Sequence, residues 1–219
     1  MERGKLFYIT RVFVRMGLGR WTADVKPPEG PTVYVCSHNN MRGPLAVQAW
    51  LPFATRTWVL HVFLDRETCR KQYSEYTFSR RFGLPKRLSE VLAWAASGYV
   101  SGLMASIGAI PVYRGTVRIG VTFRETVAAL QAGDSVVIFP DVDYTDNAEG
   151  IGEVYDGFLL LERFWRKASD QPLQFVPLRL DAAARHISEG RPVSFDRGAE
   201  WKEEMARVRE ALRAEINGP

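Results

Sequence analysis

The chain has 219 residues, 46% of them hydrophobic and 25% charged, which suits one well-cored domain and is too little for two comfortable ones. Its formal charge is +4 and its pI is near 9.2, and two cysteines, Cys36 in an apolar stretch and Cys69, exclude a disulfide framework. The charge is unevenly placed: Arg3, Lys5, Arg11, Arg15 and Arg20 against Glu2 give +4 over residues 1–21, and seven cations against Glu67 and Glu75 give +5 over residues 66–87. Two basic clusters of this kind suit an anionic surface. Zinc-finger spacing and RNP-like aromatic motifs are missing, so the expected surface is a membrane and not a nucleic acid.

Residues 1–22 carry an amphipathic helix over positions 4–18. Arg11 and Arg15 stand on one face, and Leu6, Ile9, Phe13 and Met16 line another. Bulky apolar residues with snorkelling arginines fit a bilayer interface; docking on the domain's own core is the alternative. The segment lacks the small-residue cleavage site of a secretory signal, so the expected location is cytoplasmic, peripheral on the cytoplasmic membrane face. Pro27-Pro28-Glu29-Gly30-Pro31 is a rigid connector.

Val33-Tyr34-Val35-Cys36 then reads as a strand running into Ser37-His38-Asn39-Asn40-Met41-Arg42-Gly43-Pro44. A His at the C-terminal end of a strand sits where α/β sheets hold their chemistry, and a neutral imidazole can accept a hydroxyl proton near pH 7. A helix is expected from Pro44 to Trp50 and a second strand from Arg56 to Asp65, in which His61 is a packed residue. Residues 68–87 interleave Tyr73, Tyr76, Phe78 and Phe82 with Arg and Lys, as an interfacial surface does, or form a solvated helical face. Val91–Val112 has no charge for 22 positions, long enough to span a bilayer. Its Gly98, Gly102 and Ser106 recur at spacing four and its end is Ile-Pro-Val, which favours a buried or shallowly inserted helix to about Ser106, then a strand. An amphipathic helix over Thr122–Gln131 closes at Gly133, and Ser135–Phe139 is a strand buried on both faces, emptying into an acidic turn over residues 140–147. A helix over Phe158–Lys167, strands within Leu173–Leu180 and Arg191–Asp196, and a closing helix over residues 198–217 complete the chain. The expected fold is a single α/β domain, residues 1–219, with a mostly parallel central sheet flanked by helices and an N-terminal amphipathic helix.

Four anchors stand in order: His38 after its strand, Gly108 to Arg114, Phe139-Pro140-Asp141, and Val176-Pro177-Leu178. Across residues 30–180 they resemble the four blocks of the glycerolipid acyltransferase family, of the lysophosphatidic acid acyltransferase type: N-H-x4-D, G-x-I-P-V-x-R, F-P-E-G-T-R and V-P-hydrophobic. The resemblance implies that His38 deprotonates an acceptor hydroxyl, which attacks an acyl thioester of coenzyme A or acyl carrier protein. It implies no bound cofactor or metal. The acceptor would be a lysolipid or a related alcohol, with Gly108, Arg114, Pro140 and Tyr144 on the substrate side. This chain departs from the pattern at its centre. Gly43 stands where the orienting Asp belongs, Ser37 replaces the Asn, and Asp141, Val142, Asp143 and Tyr144 replace Glu, Gly, Thr and Arg. A third-block carboxylate, Asp141 or Asp143, is the expected substitute partner for His38, because parallel strands can present both motifs at one sheet edge. A lipid- or acyl-binding protein that has lost catalysis is one alternative. Another comes from Asp141-Val142-Asp143-Tyr144-Thr145, which resembles the D-x-D-x-T motif of Mg²⁺-dependent haloacid-dehalogenase-type phosphatases.

Overall fold

The structure is a computed structural model that describes residues 2–142 and 150–218. It is α/β with mostly parallel strand pairing and flanking helices, as expected, and its contacts group into two compact units. Met1–Thr10 with Thr57–Thr122 form one, and Arg11–Arg56 with Phe123–Pro219 form the larger other.

In the larger unit the strands β1 (Thr22–Asp24), β2 (Thr32–Cys36), β5 (Ser135–Ile138), β6 (Gln174–Asp181) and β7 (His186–Glu189) lie in the order β1-β7-β6-β2-β5. Only the β6–β7 pair is antiparallel among them. Every residue of β2 and of β5 is buried, which is why both read as unbroken apolar runs. Alternation sends Tyr34 and Cys36 of β2, Val137 with the following Phe139, and Leu178 of β6 into one core with Ala46, Val47 and Leu51. Those last three belong to α2 (Arg42–Trp50) and the residue after it. Elsewhere in the unit Phe175 meets Phe158 and Phe195 edge-on, each at 6.0 Å between centroids. The terminal helix α7 (Trp201–Asn217) buries Val208, Leu212 and Ile216 at the expected helical spacing.

The last strand differs from expectation. Strand pairing falls on the more polar His186–Glu189, whose Ile187 is fully buried, whereas Val193 makes only an isolated bridge with Phe175. Pairing on both sides, with β1 and β6, outweighs the better local β-propensity of Arg191–Asp196.

In the smaller unit β3 (Thr55–Leu60, which begins in the other unit) pairs in parallel with β4 (Ile110–Val112), Trp58 opposite Ile110 and Leu60 opposite Val112. The strand stops five residues before the expected Asp65. His61–Phe63 is a single 3₁₀ turn, and the Asp65 carboxylate accepts from the Thr68 N–H at 2.9 Å to cap α3 (Arg66–Lys71). His61 is packed as expected, its ring stacked on Tyr113 at 4.7 Å. A ten-residue π-helix, Gln72–Arg81, follows, and then α4 (Lys86–Ser106), which ends where its sequence predicts. Cys69 and Cys36 are both buried free thiols; burial pushes Cys69 up to about 11 and Cys36 further. Among the described residues no helix is long and apolar enough to cross a membrane.

One ionic contact gives the larger unit a pH signature. Glu204, 5% exposed, accepts from the Arg207 side chain at 2.9 Å and from the Asp196 N–H at 2.6 Å. The Arg207 hydrogen bond holds this carboxyl below its ordinary 4.5. A depressed carboxyl stabilises the fold fully above its unfolded value and loses that contribution as pH falls through its folded value. Thermal unfolding followed from pH 6 to pH 3 should therefore steepen below about 4.5, and Glu204→Gln should flatten that part of the curve.

Candidate active site

The site is built from the ends of two adjacent parallel strands. β2 and β5 pair with Val33 opposite Val136, Tyr34 opposite Val137 and Val35 opposite Ile138. Carried past the strand ends, the same offset sets His38 opposite Asp141. There the backbone N–H of His38 donates to Asp141 Oδ2 at 2.9 Å, and the ring Nδ1 lies 3.1 Å from the same oxygen. The Asp141 side chain is 7% exposed and the His38 side chain 23%, so the carboxylate is buried and the imidazole remains reachable. Phe139 sets its ring 5.3 Å from the His38 ring, walling one side. Asp141 is itself held from behind: it bridges Val154, Val142 donates to the Glu153 carbonyl at 3.0 Å, and Tyr155 donates to the Pro140 carbonyl at 2.9 Å.

This pairing fixes the chemistry of the ring. A carboxylate at Nδ1 selects the tautomer with the proton on Nδ1, which leaves Nε2 as the ring's acceptor nitrogen. The phosphatase reading asks the opposite of Asp141. Its Oδ2 already faces two His38 nitrogens, which engages that one oxygen.

Gly43 explains why the partner comes from another strand. A Cβ at Gly43 would lie 1.9 Å from the Ser37 carbonyl oxygen and 3.1 Å from that of His38, and the Gly43 N–H donates to the His38 carbonyl at 2.9 Å. The chain turns back on the His so tightly that position 43 has no room for any side chain. Three successive residues make that turn with left-handed backbone: Asn39 at φ 42°, Asn40 at φ 45° and Met41 at φ 70°. Asn tolerates this region, but Met does so at a cost of about 1–2 kcal/mol.

Comparison with known proteins adds little to this geometry. No protein-family model matches the sequence, and no curated protein matches it. Among solved structures the chain is similar to the crystal structure of the 1-acyl-sn-glycerophosphate (LPA) acyltransferase PlsC from Thermotoga maritima. The TM-score is 0.49 and the identity 11%, over 96% of this chain and 78% of that one.

The remaining expected site residues are distributed as follows. Gly108, at φ 61°, makes the turn from α4 into β4, and Arg114 is exposed in the turn after β4; both belong to the smaller unit. Pro140 serves through its carbonyl, and Asp143 and Tyr144 lie outside the described residues. Sequence reasoning gave Asn39 no role, and named Phe139 only as part of an anchor without a role of its own. An Asn beside a strand-end His, ahead of a Gly-Pro helix start, is the signal that marks a left-handed turn there.

A carboxylate at position 43 should not be tolerated. Gly43→Asp, like Gly43→Ala, is expected to lower stability by about 2–3 kcal/mol, because the Ser37 carbonyl must move. The measurable consequence is a Tm lower by roughly 5–10 °C with no gain in activity.

Proposed function

We propose that the protein is an acyltransferase that moves an acyl chain from a coenzyme A or acyl carrier protein thioester to a hydroxyl of a lysolipid-type acceptor. The observation that carries this reading is the buried Asp141 carboxylate on Nδ1 of the strand-end His38. His38 Nε2 removes the acceptor's hydroxyl proton while its oxygen attacks the thioester carbonyl carbon. The tetrahedral intermediate then expels the thiolate, which takes the proton back from the imidazolium; the C–S bond is exchanged for a C–O bond. Asp141 orients the ring and supports its cation, the part the missing position-43 carboxylate would otherwise play. Arg114 is proposed on the substrate side, with Gly108 shaping the turn that presents it. Asp143 and Tyr144 keep their proposed roles beside Asp141, as further carboxylate and acceptor contact. With Tyr144 where the family carries Arg, a neutral or cationic acceptor is favoured over a phosphomonoester.

The test is thioester turnover on a panel of acceptor alcohols. His38→Ala should abolish it, and Asp141→Asn should lower kcat by about 10³–10⁴-fold, the loss expected when a carboxylate no longer fixes an imidazole tautomer. Unchanged turnover in His38→Ala would remove the imidazole from the mechanism. Binding of thioester or lysolipid without turnover on any acceptor would identify a protein that has lost catalysis, and Mg²⁺-dependent phosphate release would instead favour the phosphatase.

We further propose that the protein works peripherally on an anionic, cytoplasmic membrane surface. Along α1 (Lys5–Leu18) Tyr8, Ile9, Val12, Phe13 and Met16 are 54–65% exposed and form one apolar stripe. In the smaller unit α4 exposes Leu88, Val91, Leu92, Trp94 and Tyr99, close to the exposed cations Arg80, Lys86 and Arg87 in sequence. Arg11 and Arg15 do not snorkel as expected. Both guanidinium groups donate to the Ala49 carbonyl, Arg11 at 2.7 Å, and so cap the end of α2. The cationic contribution is therefore assigned to the 80–87 cluster, at up to about 1 kcal/mol per surface cation. Vesicle sedimentation should show binding that rises with anionic lipid, falls with salt, and drops sharply in Phe13→Asp. Equal binding to neutral vesicles at every salt concentration would remove the electrostatic part.

A further inference from the structure

Among the described residues the buried Asp141 carboxylate meets hydrogen-bond partners on His38 alone, so no second side chain sets its place. Its backbone does, and that backbone is held by residues 153–155, through the Asp141–Val154 bridge and the two hydrogen bonds that flank it. Gly152, Glu153 and Tyr155 are exposed, and so short a pairing at the surface opens readily unless its ends are tied down. Asn217, in the last turn of α7, ties one end. The Ile151 N–H donates to Asn217 Oδ1 at 2.6 Å, and Asn217 Nδ2 donates to the Ile151 carbonyl at 3.2 Å. Both backbone groups of one residue are thus gripped by both ends of one carboxamide. Gly150 makes the approach possible: it sits at φ 90°, and a Cβ on it would strike Asn217 Oδ1. Beyond the pairing, Arg209 of the same helix meets Asp156 at 3.4 Å.

We propose, resting on the acyl-transfer reading, that Asn217 is a positioning residue for the His38–Asp141 pair, acting through Ile151 and residues 153–155 on the backbone of Asp141. Val208, Leu212 and Ile216 seat α7 by apolar burial. Asn217 stands off that stripe, exposed, and its side-chain hydrogen bonds among the described residues go to Ile151 alone. Its reach is therefore toward the segment behind Asp141 and not toward the core. When the clasp is lost, the carboxylate drifts relative to the imidazole while the substrate-facing side of the ring is untouched. A loss of orientation of that kind falls on kcat and spares KM.

The experiment compares the full chain with Asn217→Ala, Gly150→Ala and the double variant. Arg191→Ala, which removes the exposed pair between Arg191 and Glu215 in the same turn of α7, is the control. Two readouts need no substrate. Hydrogen exchange at the Val142 and Tyr155 amides should quicken by about 10- to 100-fold in Asn217→Ala, as the loss of two hydrogen bonds predicts. The downfield proton resonance of His38 Nδ1 should broaden or vanish. In thioester turnover, kcat should fall by about 5- to 100-fold with KM unchanged. Gly150→Ala should act alike, and the double variant should be no worse than the worse single, because both substitutions break one clasp. Arg191→Ala should move none of these. A lower Tm with unchanged exchange and an unchanged resonance marks a clasp that serves only the fold, and overturns the assignment. Equal responses in Arg191→Ala, or additive effects in the double variant, overturn it too. If exchange and resonance respond but wild type turns over no thioester, the positioning stands and the acyl-transfer reading falls. If wild type turns over thioester and Asn217→Ala keeps its kcat, the positioning falls and the reading stands.

Discussion

The parallel register of β2 on β5 is the constraint on which the site depends. Because Val33 lies opposite Val136, the strand ends bring His38 to Asp141, and a single carboxylate oxygen faces both the backbone N–H and the ring Nδ1 of the same residue. That geometry is hard to disturb. Both strands are buried along their whole length, and a slip by one residue would turn every apolar side chain to the wrong face. The most buried part of the fold and the most chemically directed part are therefore specified by the same hydrogen-bond ladder. Charge follows burial: the thiol of Cys36, two residues before the His, is pushed up first by burial and then by the Asp141 carboxylate, so it packs as an inert hydrophobe.

The loop between β2 and α2 carries the strain. Three left-handed residues and a glycine whose absent Cβ would strike the Ser37 carbonyl fold the chain back over its own strand end. A carboxylate supplied in cis, five residues after the His, needs a wider turn with room for its side chain. Here the tight turn and the carboxylate from β5 go together, each making the other possible. Non-glycine residues in this backbone region persist where the surroundings over-determine them, and they concentrate at functional sites. The buried Asn39 amide in the same turn, which makes no hydrogen bond among the described residues, belongs with that pattern.

Helix α1 divides its residues between two tasks. Arg11 and Arg15 are spent on the Ala49 carbonyl at the end of α2, with Arg15 lying 5.6 Å over the Trp50 ring. Its first turns are fastened to α4: Gly4 donates to the Ser106 carbonyl at 2.8 Å, Gly102 leaves room for Leu6, and Thr10 and Tyr99 share a hydrogen bond at 2.8 Å. The small-residue face of α4 thus serves helix packing, and the bulky residues that such packing does not cover stay on the surface. Tyr73 stacks on Phe78, whose ring in turn lies 6.3 Å from that of Phe82, so the aromatic residues of the basic segment are partly absorbed by the smaller unit's own packing.

Local patterning was enough to place most elements. The unbroken apolar runs of β2 and β5, the alternation around Val176, the periodicity of α1 and α7, and the end of α4 at Ser106 are all short-range signals, and short-range physics decides them. The sequence also singled out His38 and offered Asp141 as its substitute partner, because strand ends in a parallel sheet share one edge. It could not show that Asp141 Oδ2 faces both the backbone N–H and the ring Nδ1 of His38, since only the β2–β5 register brings those atoms together. Nor could it show that Gly43 is there for lack of space, because the contact is with the Ser37 carbonyl across a turn whose backbone the sequence does not print. The strand at His186–Glu189 was hidden for the same reason: its stability comes from neighbours on both sides and not from its own residues. Propensity and period are properties of a segment, whereas register, clearance and pairing are properties of two segments at once, and only the folded chain sets them.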